Sequence, residues 1–142
     1  MRLVDANVLL YAVNEDAPHH ETAREWLDRA LSGSEAVAFT WVVLLAFLRL
    51  STRADLFHRP LEFDEAGEVV AHWLAAPPAL VAHPTERHLA LLLGLVQSSG
   101  SAGNLINDAH LAALALEYDA VVVSYDRDFG RFDGVRHELP GA

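Results

Sequence analysis

Four aspartates, Asp5, Asp108, Asp126 and Asp128, are the residues whose type and position could do chemistry in this sequence. Taken singly, each has an ordinary structural reading, because aspartate favours helix starts and turns. Their placement argues for more. Asp5 follows the apolar run Arg2-Leu3-Val4, and Asp126 comes just past Ala120-Val121-Val122-Val123-Ser124, a β-branched run of the kind that forms a parallel strand buried on both faces. Asp108 lies in or beside the first turn of a helix in which Leu111, Leu114, Ala115 and Tyr118 keep i, i+3, i+4, i+7 spacing, with Asn104 or Asn107 as N-cap. In open α/β sheets the functional crevice lies beyond the carboxyl ends of the strands, so these carboxylates are expected to converge there. Converging carboxylates raise one another's pKa unless a positive charge sits among them. A hard divalent cation, Mg²⁺ or Mn²⁺, suits an all-oxygen donor set, and the chemistry it supports is phosphodiester hydrolysis.

The elements that must position these residues alternate between strand and helix. A helix is expected from Pro18 to Leu31, with Ala23, Trp26, Leu27, Ala30 and Leu31 as its apolar stripe. The adjacent His19 and His20 point in different directions on it, which makes joint metal ligation unfavourable and favours a surface role. A second strand, Ala36 to Thr40, leads into a helix from Trp41 to Thr52 capped by Thr40, burying Val43, Phe47 and Leu50 and placing Ala46 and Arg49 on a shared face. Arg53, His58, Arg59 and Pro60 form a basic loop, either solvated or a rim facing phosphate. The next helix runs from Phe63 to Ala76, with His72 and Trp73 as packing residues, and stops at Pro77-Pro78. Leu80 to His83 is a third strand, and Thr85 is expected to cap a leucine-rich helix ending near Ser98. Ser98 to Gly103 reads as a flexible connector, Phe132 to Leu139 as a last edge strand, and the terminal Pro-Gly-Ala as frayed. The sum is an α/β chain, one Rossmann-like domain over residues 1–142, with a mainly parallel sheet flanked by helices.

Composition removes several alternatives. Without cysteine there are no disulfides, thiolate metal sites or cysteine nucleophiles. Asp5 interrupts the apolar start, so no secretory signal is expected, and Leu89 to Val96 is too short to span a bilayer; a cytoplasmic protein without a membrane segment is the expectation. The net charge of −10 argues against a general nucleic-acid coat but not against a nuclease, whose carboxylates carry cations when occupied. All ten basic residues are arginine. Receiver domains and aspartyl-phosphate phosphatases, which also place Asp after the first strand, rely on a lysine, and this chain has none. No G-x-G-x-x-G follows the first strand, against dinucleotide binding.

The motifs VDANVLLYAV, WVVLLAFLRLST and GNLINDAHLAALALEYDAVVVSYDRDFGRF, in that order over almost the whole chain, resemble those of PIN-domain ribonucleases, specifically VapC-type toxins of type II toxin–antitoxin pairs. The resemblance implies an endoribonuclease dependent on Mg²⁺ or Mn²⁺, with Asp5, Asp108 and Asp126 as catalytic metal-site carboxylates, Asp128 as an auxiliary acidic ligand and Asn7 as a polar neighbour. It further implies a homodimer held in check by a cognate VapB antitoxin. The sequence departs from the family at Ala46, where a glutamate is expected. Either Ala46 is an attenuating substitution, natural or introduced, or another carboxylate approaches from elsewhere. Arg49, one turn on, either approaches substrate phosphate or pairs with an acidic neighbour. The alternative to an active enzyme is a catalytically silent PIN domain that binds antitoxin or RNA.

Overall fold

The structure is a computed structural model that describes residues 1–100 and 105–141. Five strands form one parallel sheet: β1 (Arg2–Val4), β2 (Val37–Phe39), β3 (Ala79–Val81), β4 (Val121–Val123) and β5 (Arg136–Glu138), in the order β3-β2-β1-β4-β5. Helices α1 (Ala6–Val13), α2 (His20–Leu31), α3 (Trp41–Ser51), α4 (Phe63–Ala75), α5 (His88–Ser99) and α6 (Ile106–Tyr118) make the crossovers, and a 3₁₀ turn (Arg127–Arg131) lies between β4 and β5. Because every strand runs the same way, all the carboxyl ends lie along one edge of the sheet. β1 is central, with Arg2 opposite Val37 on one side and Val121 on the other, and Val4 opposite Val123. Asp5 and Asp126 therefore follow neighbouring strands, as expected from the sequence.

Burial explains why the strands are three residues long yet secure. Leu3, Val4, Val122, Val123 and all of β2 are closed to solvent, leaving both faces of the sheet centre covered. Trp73 of α4 packs edge-on against Phe47 of α3 at 4.8 Å between ring centroids and lies nearly parallel to Phe39 of β2 at 6.3 Å. The stripe that α3 buries is Val43, Leu44, Phe47 and Ser51, so Leu50 is only half-buried. His72, expected to pack beside Trp73, is instead exposed, since the neighbouring position on a helix points elsewhere.

Two expected caps are corrected. Asn107 lies inside α6, whose N-cap position is Leu105, and Asn104 lies outside the described residues; of the expected Ser98–Gly103 connector, Ser98 and Ser99 instead close α5, Gly100 is its C-cap, and residues 101–103 lie outside the described residues. Thr85 does not cap α5, which begins at His88. Its backbone N–H donates to Glu117 Oε1 at 2.8 Å, its hydroxyl donates to the same oxygen, and its Oγ accepts from Arg87 N. The carboxylate of Glu117 has thus recruited Thr85 into a link between α6 and the segment before α5. At the C-terminus Pro140 is buried rather than frayed, and Ala142 lies outside the described residues.

Glu117 anchors the pairing of α5 with α6. Its side chain is fully shielded, and its Oε2 lies 2.6 Å from His88 Nδ1, while His88 Nε2 lies 2.9 Å from His110 Nδ1. Burial pushes the Glu117 carboxyl upward, but hydrogen bonds from Thr85 and His88 outweigh it and hold the group below its ordinary value. Glu117→Ala is expected to cost about 2–3 kcal/mol, because it strands donors that now meet a charged acceptor. With its pKa lowered on folding, this carboxylate stabilises the protein above pH 4.5, and the contribution is lost as pH falls through the folded-state value. Chemical denaturation at pH 7 and at acid pH checks this: the deficit of the variant should shrink in acid.

Candidate active site

Asp5 ends β1 and caps α1, its Oδ1 accepting from Ala6 N at 2.7 Å. Its other oxygen accepts from the Ser124 hydroxyl at 2.7 Å. Ser124, wholly buried after β4, also accepts from Asn7 Nδ2 at 3.0 Å and from Asp126 N at 2.9 Å. Asn7 returns a contact across the same gap, its Oδ1 accepting from Tyr125 N at 3.1 Å. The ends of β1 and β4 are thus stitched by one hydroxyl and one carboxamide, which fix Asp5 relative to Asp126. Asp126 in turn caps the 3₁₀ turn, its Oδ1 accepting from Asp128 N at 2.9 Å.

Asp108 reaches this edge from the first turn of α6. With Asp5 it lines a cavity of about 150 Å³ whose other walls include Val42, Val43 and Ala46 of α3. Ala46 therefore faces the acidic site, as its place in the motif implies. Burial, then the charges of Asp5 and Asp126, push the Asp108 carboxyl up to about 6; Arg131 opposes them and Asp128 adds to them. Asp5 is raised as well, chiefly by burial and against the hydrogen bonds from Ser124 and Ala6. Arg131 is itself engaged by Asp128, with Nη2 3.1 Å from Oδ2.

The donor set and its electrostatics fit a divalent cation. Asp5, Asp108 and Asp126 are hard oxygen donors that repel one another in a half-buried setting, the condition that an added positive charge relieves. Among the described residues no three His, Asp or Glu side chains are gathered tightly enough to grip an ion by themselves. Asp128 is more exposed and lies on the far side of Asp126 along the 3₁₀ turn. Arg49 is exposed one turn beyond Ala46 and has no carboxylate partner among the described residues, whereas Arg53 of the basic loop is paired with Asp55.

The residue that sequence reasoning missed is Ser124. Its place in the sequence marks it only as the end of a strand, yet it contacts Asp5, Asn7 and Asp126. The available signal was its position between a buried β-branched run and a candidate ligand. His137, whose Nε2 lies 3.0 Å from the Ser124 carbonyl, was also missed, because it comes from β5, whose pairing only the fold reveals.

Comparison with known proteins identifies the family and the fold. The family model described as PIN domain matches residues 2–135. Ribonuclease VapC37 of Mycobacterium tuberculosis is 56% identical over 142 residues, covering 100% of this chain and 99% of its own length. Ribonuclease VapC31 of the same species is 44% identical over 140 residues, with 99% of each chain covered. Among solved structures, VapBC2 from Rickettsia felis bound to a promoter DNA fragment superposes with a TM-score of 0.70 at 17% identity, covering 97% of both chains. The sarcin-ricin loop cleaving toxin VapC20 of M. tuberculosis gives 0.67 at 20% identity, covering 96% of this chain and 99% of its own. At those identities the structural matches speak for the fold alone.

Proposed function

This chain belongs to the PIN-domain family and, within it, to the VapC ribonucleases, and from that premise we propose that it is an endoribonuclease toxin whose acidic edge hydrolyses RNA with Mg²⁺ or Mn²⁺. The observation that carries the proposal is the convergence of Asp5, Asp108 and Asp126 from β1, α6 and β4 on one end of the sheet, with Asp108 already burdened by its neighbours' charge. A divalent ion held there supplies the charge that neutralises a phosphodiester and acidifies water for attack. Asp5, fixed by Ser124 and the start of α1, Asp126, fixed by its turn, and Asp108 from α6 would hold such an ion. Asp128 is an outer acidic group, Asn7 links the two strand ends, and Arg49, exposed one turn beyond Ala46, is the residue we assign to RNA phosphate. Incubation of the purified protein with RNA in Mn²⁺, with and without EDTA, tests this reading.

A second reading follows from Ala46. It lies on the wall of the acidic cavity where the family resemblance calls for a carboxylate, so the chain is either a weakened enzyme or a silent PIN domain that retains its binding functions.

The partners we propose are a VapB-type antitoxin and a second copy of the chain, in the cytoplasm. Complexes of VapB with VapC are among the structural neighbours. Among the described residues no helix is long and apolar enough to cross a membrane. For self-association, Leu89 and Leu93 stand one turn apart on α5 with 66% and 52% of their surface exposed, an apolar pair that a partner helix would cover. Light scattering at micromolar concentration should give twice the chain mass, and the double substitution Leu89→Asp, Leu93→Asp should give the monomer. A monomeric parent protein would count against the dimer.

A further inference from the structure

We propose that His19, Tyr125 and Arg127 form a subsite for one nucleobase of single-stranded RNA, next to the phosphate cleaved at the acidic edge. The proposal rests on the ribonuclease reading above.

The backbone around Asp126 is extended, with φ −81° and ψ 110°, so the side chains before and after it turn away from the side that Asp126 occupies. Those two side chains, Tyr125 and Arg127, line a separate surface pocket of about 330 Å³ with His19, Thr22, Leu139 and Pro140. The pocket is thus joined to the acidic edge by single peptide units on either side of Asp126. A helix of a protein partner would not enter a pocket of this size, whereas a purine or pyrimidine would.

Its lining suits a base. The His19 ring lies 4.4 Å from the Tyr125 ring at an interplanar angle of 14°, a stacked pair, and Tyr11 supports Tyr125 from 5.3 Å. His19 is exposed, so the stack ends at solvent rather than in the core. The backbone of Tyr125 is fixed through its N–H to Asn7, which sets the platform in register with the catalytic strand ends. Arg127 is exposed and has no carboxylate partner among the described residues, although the chain carries a net charge of −10. An aromatic platform with a free guanidinium beside it is the combination that binds single-stranded nucleic acid with little sequence demand. The pair His19-His20 is expected from the sequence to be a surface feature; His19 is on the surface and the fold brings its ring to the loop after β4, whereas His20 is half-buried, its Nδ1 2.8 Å from the Tyr11 carbonyl oxygen.

The test is fluorescence anisotropy with a fluorescein-labelled mixed-sequence RNA decamer and with the same sugar-phosphate backbone lacking all bases, both in Ca²⁺. His19 is an exposed loop residue, so His19→Ala should fold. This variant should bind the decamer about 5- to 150-fold more weakly than the parent, bind the abasic polymer equally well, and recover affinity as His19→Phe. Equal decamer binding by His19→Ala and parent would overturn the subsite while leaving the ribonuclease reading intact. A matching loss on the abasic polymer would show a structural role and overturn it too. A parent protein with no affinity for either polymer and no cleavage of RNA would remove the ribonuclease reading, and the subsite with it.

Discussion

Ala46→Glu is expected to raise RNA cleavage in Mn²⁺ by at least about tenfold, equivalent to roughly 1.4 kcal/mol of transition-state stabilisation. The side chain at this position opens onto the cavity shared by Asp5 and Asp108, so a carboxylate there would meet the same ion. Apart from Asp5 and Asp108, the cavity's lining side chains are apolar except Asn107, whose carboxamide is neutral. In the absence of metal the added charge has the opposite effect. It would join a cluster that already holds Asp108 at about 6, so the variant should melt at a similar or slightly lower temperature in EDTA. Single-turnover cleavage and thermal melts of the two proteins, side by side, check both halves. Equal cleavage would show that Ala46 is not the position of a missing ligand and that the site is complete without it.

Asp108→Asn should act on activity and stability in opposite directions. Cleavage should fall on the order of 10³-fold if the proposed carboxylate ligand from α6 is lost. Metal-free stability at pH 7.5 should rise, on the order of 1 kcal/mol once solvent screening is allowed for. The sign follows from the raised pKa. Between the ordinary value of 3.8 and about 6 the folded protein holds a proton that the unfolded chain has released, so stability is favoured in acid and lost as pH rises through about 6. Asparagine cannot ionise and escapes that loss. Melts in EDTA at pH 5 and pH 7.5 should therefore show the variant's advantage mainly at the higher pH; an advantage independent of pH would assign it to something other than charge.

The acidic edge was legible because strand polarity and carboxylate position are both local features. The β-branched run before Asp126 and the short apolar run before Asp5 each announced a parallel strand, and parallel strands put their ends together without further information. Asp108 was legible from helical periodicity downstream of it. The failures arose where a polar side chain had more than one suitor. Thr85 has a hydroxyl fit to cap a helix, but Glu117, 32 positions away, claims it. Asn107 looks like a cap, but α6 begins before it. Ser124 and His137 became part of the site only through contacts between β1, β4 and β5, and no local pattern encodes those pairings. The stacking of His19 on Tyr125, across more than one hundred positions, was hidden for the same reason.

Cleavage of RNA by the purified protein in Mn²⁺, measured with and without EDTA and beside Asp5→Asn, tests the central claim most directly. Asp5→Asn retains one oxygen, enough to accept from Ala6 N, but it loses the hydrogen bond from Ser124 and the charge, so the fold should survive at a modest cost in stability while the metal site does not. The expected result is cleavage by the parent in Mn²⁺ that EDTA abolishes and that the folded Asp5→Asn protein lacks. Cleavage that persists undiminished in EDTA, or in a folded Asp5→Asn protein, would contradict the assignment of this edge as a metal-dependent ribonuclease site.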